Sequence, residues 1–248
     1  MYFFTTYYAP YSQYCLLPVN HYYHPSKLSK KLIFLDPQVY TLNTHTEYPK
    51  IQFLHDLAKG QLLPNEYMSI DYPPDMQPSM SDVFIERTIR NNIQYQNNSH
   101  YICTIQFPIQ KYVYAQKKII AKPTIDDFIA FKRNYEYLAP IFEHKQKILG
   151  IGNCCRIQGT NEFTDAMMSF LYDRLDKLYW IHFYGINLSM IKTYLPDMDK
   201  KIIISCDSTK WTYAHSQELK EKYRGSCYQT CRQEYFDSYL HKIPNVIF

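Results

Sequence analysis

Six short apolar runs in this chain each hand over to a residue able to do chemistry. Leu32-Ile33-Phe34-Leu35 ends on Asp36, Met68-Ser69-Ile70 on Asp71, and Ile102-Cys103-Thr104-Ile105 on Gln106. Leu149-Gly150-Ile151 ends on Gly152 and Asn153, Trp180-Ile181 on His182, and Ile203-Ile204-Ser205-Cys206 on Asp207. Taken singly, an aspartate that ends a strand is commonly a turn or helix-cap residue, and half-buried histidines are common in cores. Taken together, three aspartates, a glutamine and a histidine delivered to one place suit proton transfer and nucleophilic attack. Neighbouring carboxylates also push each other's pKa values apart, as separate acid and nucleophile roles require.

Convergence of that kind needs a frame. Strands are expected over residues 2–7, 32–35, 67–70, 101–105, 148–151, 179–183 and 202–204, with an eighth at either 15–19 or 246–248. Helices are expected between them. The span 125–142 sets Phe128, Phe131, Tyr135, Leu138 and Phe142 on one face, with Thr124 and Asp127 spaced as a capping box. A span from about 162 to 178 does the same with Phe163, Met167, Phe170, Leu171 and Leu175, and 81–95 buries Phe84, Ile85 and Ile89. The alternation of strand and helix in 248 residues matches an α/β fold of TIM-like (β/α)8 type, complete or modified, as a single domain over 1–248. No glycine-rich dinucleotide or phosphate-binding turn follows a strand, which disfavours an open doubly wound sheet. In a barrel the open end is the C-terminal rim of the strands, where all six runs deliver their polar residues.

Composition sets outer bounds. The net charge of +4, from 27 basic and 23 acidic residues, permits a nucleic-acid partner without requiring one. Basic clusters at Lys117, Lys118 and Lys122 and at Lys220, Lys222 and Arg224, with Lys210 near Asp207, are solvated faces or contacts to a polyanion backbone. Seven cysteines without a regular framework, and an N-terminus without a signal-peptide pattern, lead us to expect a reducing, cytoplasmic setting. No apolar run approaches the roughly 18 residues that span a membrane, so no membrane partner is expected.

In this order the residues resemble the tRNA-guanine transglycosylases and, closer in style, their DNA-acting relatives that place 7-deazaguanines in DNA. The stretches that carry the likeness are IFLDPQVY, MSIDYPP, CTIQFP, LGIGNCCR, IHFYGI and SCDSTKW, which together run from residue 32 to 211. The resemblance implies base exchange at a glycosidic carbon, with Asp207 as nucleophile on C1′ and Asp36 moving the proton between leaving and entering bases. It implies that Asp71, Gln106, Gly152, Asn153 and His182 line the base site, and that a tyrosine such as Tyr72 or Tyr40 stacks on the base. Asp36 precedes Pro37 and Gln38, where the family has a turn of small residues. Transfer-RNA members also hold zinc with three cysteines and a histidine. This chain offers Cys227 and Cys231, with His215 and His241 at a distance, short of four assured ligands. No cofactor is therefore expected, and Cys227 and Cys231 are the candidates should zinc bind. The short chain, without an appended RNA-binding domain, favours DNA over tRNA as the polymer and guanine or a 7-deazaguanine as the base. Two other classes stay open: a non-catalytic barrel that binds nucleic acid or protein, and a nucleosidase-type N-glycosyl hydrolase.

Overall fold

The computed structural model describes residues 1–6, 13–18, 30–36, 62–72, 74, 81–108, 112–115, 118–157, 159, 161–207 and 237–243. Its first five strands are β1 (Tyr2–Thr6), β2 (Tyr14–Pro18), β3 (Leu32–Asp36), β4 (Glu66–Met68) and β5 (Cys103–Ile105). An antiparallel hairpin of β6 (Tyr112–Ala115) and β7 (Lys118–Ala121) stands apart, and β8 (Ile148–Ile151), β9 (Trp180–Phe183) and β10 (Ile203–Asp207) complete the set. Eight of these strands form one sheet in the order β4-β3-β2-β1-β10-β9-β8-β5, with every neighbouring pair parallel. Chain order is thus kept along the sheet, with the hairpin as an insertion after β5.

The sheet curls until its two edges touch. Met68, at the end of β4, makes a parallel bridge to Tyr101, just before β5. Its N–H donates to the His100 carbonyl and its carbonyl accepts from Ile102 N–H, both at 2.9 Å. Among the described residues that single bridge is the whole backbone ladder of the seam, so the barrel closes incompletely. A helix supplies the rest. Asn92 donates from Nδ2 to the Thr104 carbonyl at 2.7 Å and accepts from Thr104 N–H at 3.1 Å, in place of a neighbouring strand. The adjacent Asn91 donates to the Ile70 carbonyl at 2.9 Å. Without these amides the buried edge would carry unpaired backbone groups.

Alternation along each strand sorts the side chains into two cores. Inside the curl lie Phe4, Tyr14, Leu16, Phe34, Ile102, Ile148 and Trp180, with Phe4 stacked on Phe34 at 4.2 Å. Outside it, Phe3, Cys103, Ile105, Leu149, Ile151, Ile181, Phe183, Ile204 and Cys206 meet the helices. The helices are α1 (Ser81–Gln94), α2 (Ile125–Phe142), α3 (Glu162–Tyr172) and α4 (Leu188–Met198). In α2 the expected stripe is in place, with Phe131, Tyr135, Leu138 and Phe142 buried and Phe128 packed against them. At its start the Asp127 carboxylate accepts from Thr124 N–H at 2.7 Å and from Thr124 Oγ1 at 3.1 Å.

Several expectations change in detail. The strand between β1 and β3 is Tyr14–Pro18, and residues 246–248 lie outside the described residues. The helix expected to reach 178 ends at Tyr172, after which a 3-10 turn, Leu175–Lys177, carries Leu175 into the core. The hairpin and α4 were not expected. Pro196 inside α4 obscures a helical stripe of Met190, Ile191, Leu195 and Met198, which the Asn187 side chain caps by accepting from Met190 N–H at 3.0 Å. Among the described residues no helix is long and apolar enough to cross a membrane.

The seam gives a stability prediction. Asn92→Ala removes a carboxamide that is fully buried and satisfies two backbone groups, so urea unfolding should show a loss of about 2 kcal/mol or more. Ile129→Ala on the exposed side of α2 should stay within about 0.5 kcal/mol.

Candidate functional site

Because parallel strands keep their register, residues that face inward at the C-terminal ends of the strands gather at one mouth. Thr104 pairs with Gly150, Gly150 with His182, and His182 with Ser205. One layer higher come Gln106, Gly152, Tyr184 and Asp207, each two residues further along its own strand line. Two polar clusters result, one around Asp207 and one around Asp71.

Asp207 ends β10 with its side chain almost wholly buried, only 5% exposed. Its Oδ1 accepts from the Gly185 backbone N–H at 2.9 Å and lies 3.3 Å from His182 Nε2. Oδ2 has no hydrogen-bond partner among the described residues. On the far side of the imidazole, His182 Nδ1 lies 2.9 Å from Ser205 Oγ, which in turn accepts from Trp180 Nε1 at 2.6 Å. Burial pushes the pKa of His182 down from its ordinary 6.5, and the hydrogen bond and charge of Asp207 oppose that shift only in part. The ring is therefore neutral at pH 7. Gly185 presents its N–H from a left-handed turn at φ 68°, against Cys155, where a Cβ would stand 2.4 Å from the Cys155 Cβ.

Asp71 follows β4 and is held through both oxygens. Ser69 Oγ donates to Oδ1 and Gln106 Nε2 to Oδ2, each at 2.6 Å. Tyr184 donates to Ser69 Oγ at 3.3 Å, and its ring meets His182 edge-on at 4.5 Å. Tyr184 thus joins the two clusters. Burial raises the Asp71 carboxyl above its ordinary value, while the bonds from Ser69 and Gln106 pull the other way. The Asp71–Gln106 bond spans the seam between β4 and β5. It depends on the closure described above.

Glycines give these side chains room. A Cβ on Gly150 would stand 2.7 Å from the Tyr184 ring, and one on Gly152 would stand 2.3 to 2.4 Å from the Gln106 carboxamide. Gln106 and Asn153 are 2% and 3% exposed, yet among the described residues Gln106 Oε1 and Asn153 Oδ1 have no hydrogen-bond partner. Both amides are fixed from the other end, Gln106 by Asp71 and Asn153 by donation to the Phe107 carbonyl at 3.1 Å. Asn153 adopts the left-handed region at φ 58°, which its short polar side chain tolerates. An orphaned acceptor on Gln106, beside the Asp71 carboxylate, is what a ligand edge rich in N–H groups would satisfy.

The remaining candidates fall elsewhere. Tyr72 sits on the α1 side, its ring parallel to Phe84 at 6.2 Å and its N–H donating to Thr88. Of Asp36 only the backbone is described, paired with Pro18 at the same end of the sheet. Tyr40, Lys117, Lys210, Lys220, Lys222, Arg224, Cys227 and Cys231 lie outside the described residues. Among the described residues no group of three or more His, Cys, Asp or Glu side chains could hold a metal. An open groove of about 590 Å³ lies at the other end of the sheet, beside Met1, Tyr179 and Ile203, far along the strands from these side chains.

Ser69, Ser205, Trp180, Tyr184 and Gly185 were missed by sequence reasoning. The signal was present for most of them. Ser69 stands two before Asp71, Ser205 two before Asp207, and Trp180 and Tyr184 two either side of His182, so each shares a face with its neighbour. No protein family, curated protein or solved structure matches the chain.

Two tests follow from this geometry. Gly152→Ala should displace the Gln106 side chain and destabilise the fold by about 1–3 kcal/mol, whereas Gly159→Ala, with open space around it, should be limited to the cost of its backbone angle. The depressed pKa of His182 means that the unfolded chain takes up a proton at this residue before the folded one does. Its contribution therefore lowers stability as pH falls through 6.5 towards the folded value. Unfolding titrations of wild type and His182→Gln from pH 7.5 to about 5 should differ by that slope, with the wild type losing more.

Proposed function

We propose that this chain is a nucleic-acid guanine transglycosylase built on a TIM-like barrel, exchanging guanine for a 7-deazaguanine, with DNA as the favoured polymer and the cytoplasm as its setting. The observation that carries the reading is the pairing, at one end of the sheet, of a carboxylate held through a single oxygen with a second polar cluster in which the buried Gln106 Oε1 lacks a donor among the described residues. Asp207 is suited to attack. It is anchored on Oδ1, and a fixed anion stabilises the oxocarbenium-like transition state before it bonds to the sugar carbon.

In this reading Oδ2 of Asp207 forms a bond to C1′ while the C1′–N9 bond breaks, and the electron pair leaves with the guanine nitrogen. Asp36 supplies the proton that neutralises the departing base. The incoming base then attacks C1′ through its own nitrogen, the ester bond to Asp207 breaks, and Asp36 recovers a proton. Two displacements retain the configuration at C1′. Asp71, Gln106 Oε1 and Asn153 Oδ1 are acceptors for the N–H edge of the purine, and Gly152 leaves space for that edge. A base within a duplex must leave the stack to reach such a site.

The test is incubation of the protein with duplex DNA, and separately with unmodified tRNA, each with labelled guanine. Label should enter the DNA, and Asp207→Asn should lower the rate about a thousandfold or more. Release of free guanine without incorporation would indicate a nucleosidase using the same carboxylates. Tight binding of DNA with no exchange would indicate a non-catalytic barrel.

A further inference from the structure

The geometry points to Ser205 and Trp180 as positioning residues that lock His182 in the tautomer carrying its proton on Nε2, so that Asp207 is gripped through Oδ1 and reacts through Oδ2. The inference rests on the reading of Asp207 as a nucleophile.

An indole nitrogen can only donate, so Ser205 Oγ must accept from Trp180 Nε1 at 2.6 Å. The single proton of the serine hydroxyl then points to its other partner, His182 Nδ1 at 2.9 Å. In a neutral imidazole an accepting Nδ1 leaves the proton on Nε2, which faces Asp207 Oδ1 at 3.3 Å. The opposite tautomer fails twice. It would leave the serine proton without an acceptor among the described residues, and it would set the Nε2 lone pair against a carboxylate oxygen. Nor can the ring turn to escape. Phe4, Phe34 and Tyr184 meet it edge-on at 5.3, 4.7 and 4.5 Å, and it is fully buried.

The arrangement has a chemical consequence. When Oδ2 bonds to the sugar carbon, Oδ1 becomes the carbonyl oxygen of an ester, still able to accept from His182 Nε2–H and Gly185 N–H. Neither donor has to be broken during attack. A neutral His182 also leaves Asp207 its full negative charge, whereas an imidazolium would weaken it as a nucleophile. Ser205 and Trp180 touch no reacting atom. They act through the ring.

The test is long-range proton–nitrogen NMR on protein labelled with ¹⁵N-histidine, with the His182 signals assigned by their loss in His182→Gln. The wild type should show the Nε2–H tautomer, Ser205→Ala and Trp180→Phe a mixture of both tautomers, and Ser205→Thr the wild-type form. A wild-type ring protonated on Nδ1, or an unchanged tautomer in Ser205→Ala, would overturn the assignment. In single-turnover trapping on guanine-containing duplex DNA, Ser205→Ala should slow covalent capture about tenfold at unchanged DNA affinity, with Ser205→Thr within about threefold of wild type. An unchanged capture rate in Ser205→Ala would also overturn it. Wild-type protein that captures no DNA would count against the nucleophile itself, and the tautomer spectra would still decide the relay.

Discussion

The site depends on how the seam between β4 and β5 is closed. A curled parallel sheet has two edges, and here, among the described residues, one backbone bridge, Met68 to Tyr101, joins them. Beyond it the edge of β5 is satisfied by the carboxamide of Asn92, which offers Thr104 the donor and acceptor that a neighbouring strand would have offered. The two edges are thus held by a backbone bridge at Met68 and by a helix side chain at Thr104. Asp71 and Gln106 follow β4 and β5 on the two sides of the seam and bond across it at 2.6 Å. Through Asn91 at Ile70 and Asn92 at Thr104, α1 therefore holds the backbone just before both Asp71 and Gln106.

The two carboxylates that result have different environments. Asp71 accepts a donor on each oxygen, and burial works to raise its pKa against those donors. Such a group is suited to recognition, since its lone pairs are already oriented and its neighbour Gln106 carries an acceptor unsatisfied among the described residues. Asp207 has both donors on one oxygen. The other oxygen is available for chemistry without the loss of a hydrogen bond. Tyr184 stands between them, its hydroxyl on Ser69 and its ring on His182, and the absence of a side chain at Gly150 gives it the room. The two halves of the mouth thus share one aromatic side chain.

The α/β alternation and the polar strand ends were legible in the sequence because both are local patterns. Apolar runs of three to five residues mark strands, and the stripe from Phe128 to Phe142 marks α2. Less legible were residues whose role depends on the far side of the fold. Asn91 and Asn92 look like the polar face of a helix, and only the seam reveals that they are buried partners of Ile70 and Thr104. Ser69 and Ser205 read as small residues within apolar runs. Their position two before an aspartate places them on its face, but what they bond to is set by neighbouring strands. Helix α4 was hidden by Pro196, whose missing N–H breaks the expected pattern near the helix end. The hairpin after β5 carries no tight-turn glycine, and Gln116-Lys117 between its strands is no hairpin signature.

The proposed reaction requires Oδ2 of Asp207 to bond to the sugar carbon. The most direct measurement is peptide mass spectrometry of the protein after reaction with guanine-containing duplex DNA, acid quench and nuclease digestion. A deoxyribosyl adduct on the peptide containing Asp207, absent when the DNA is omitted, is the predicted result. Base exchange that proceeds with no adduct on Asp207, or with an adduct on Asp36 or Asp71 instead, would contradict it.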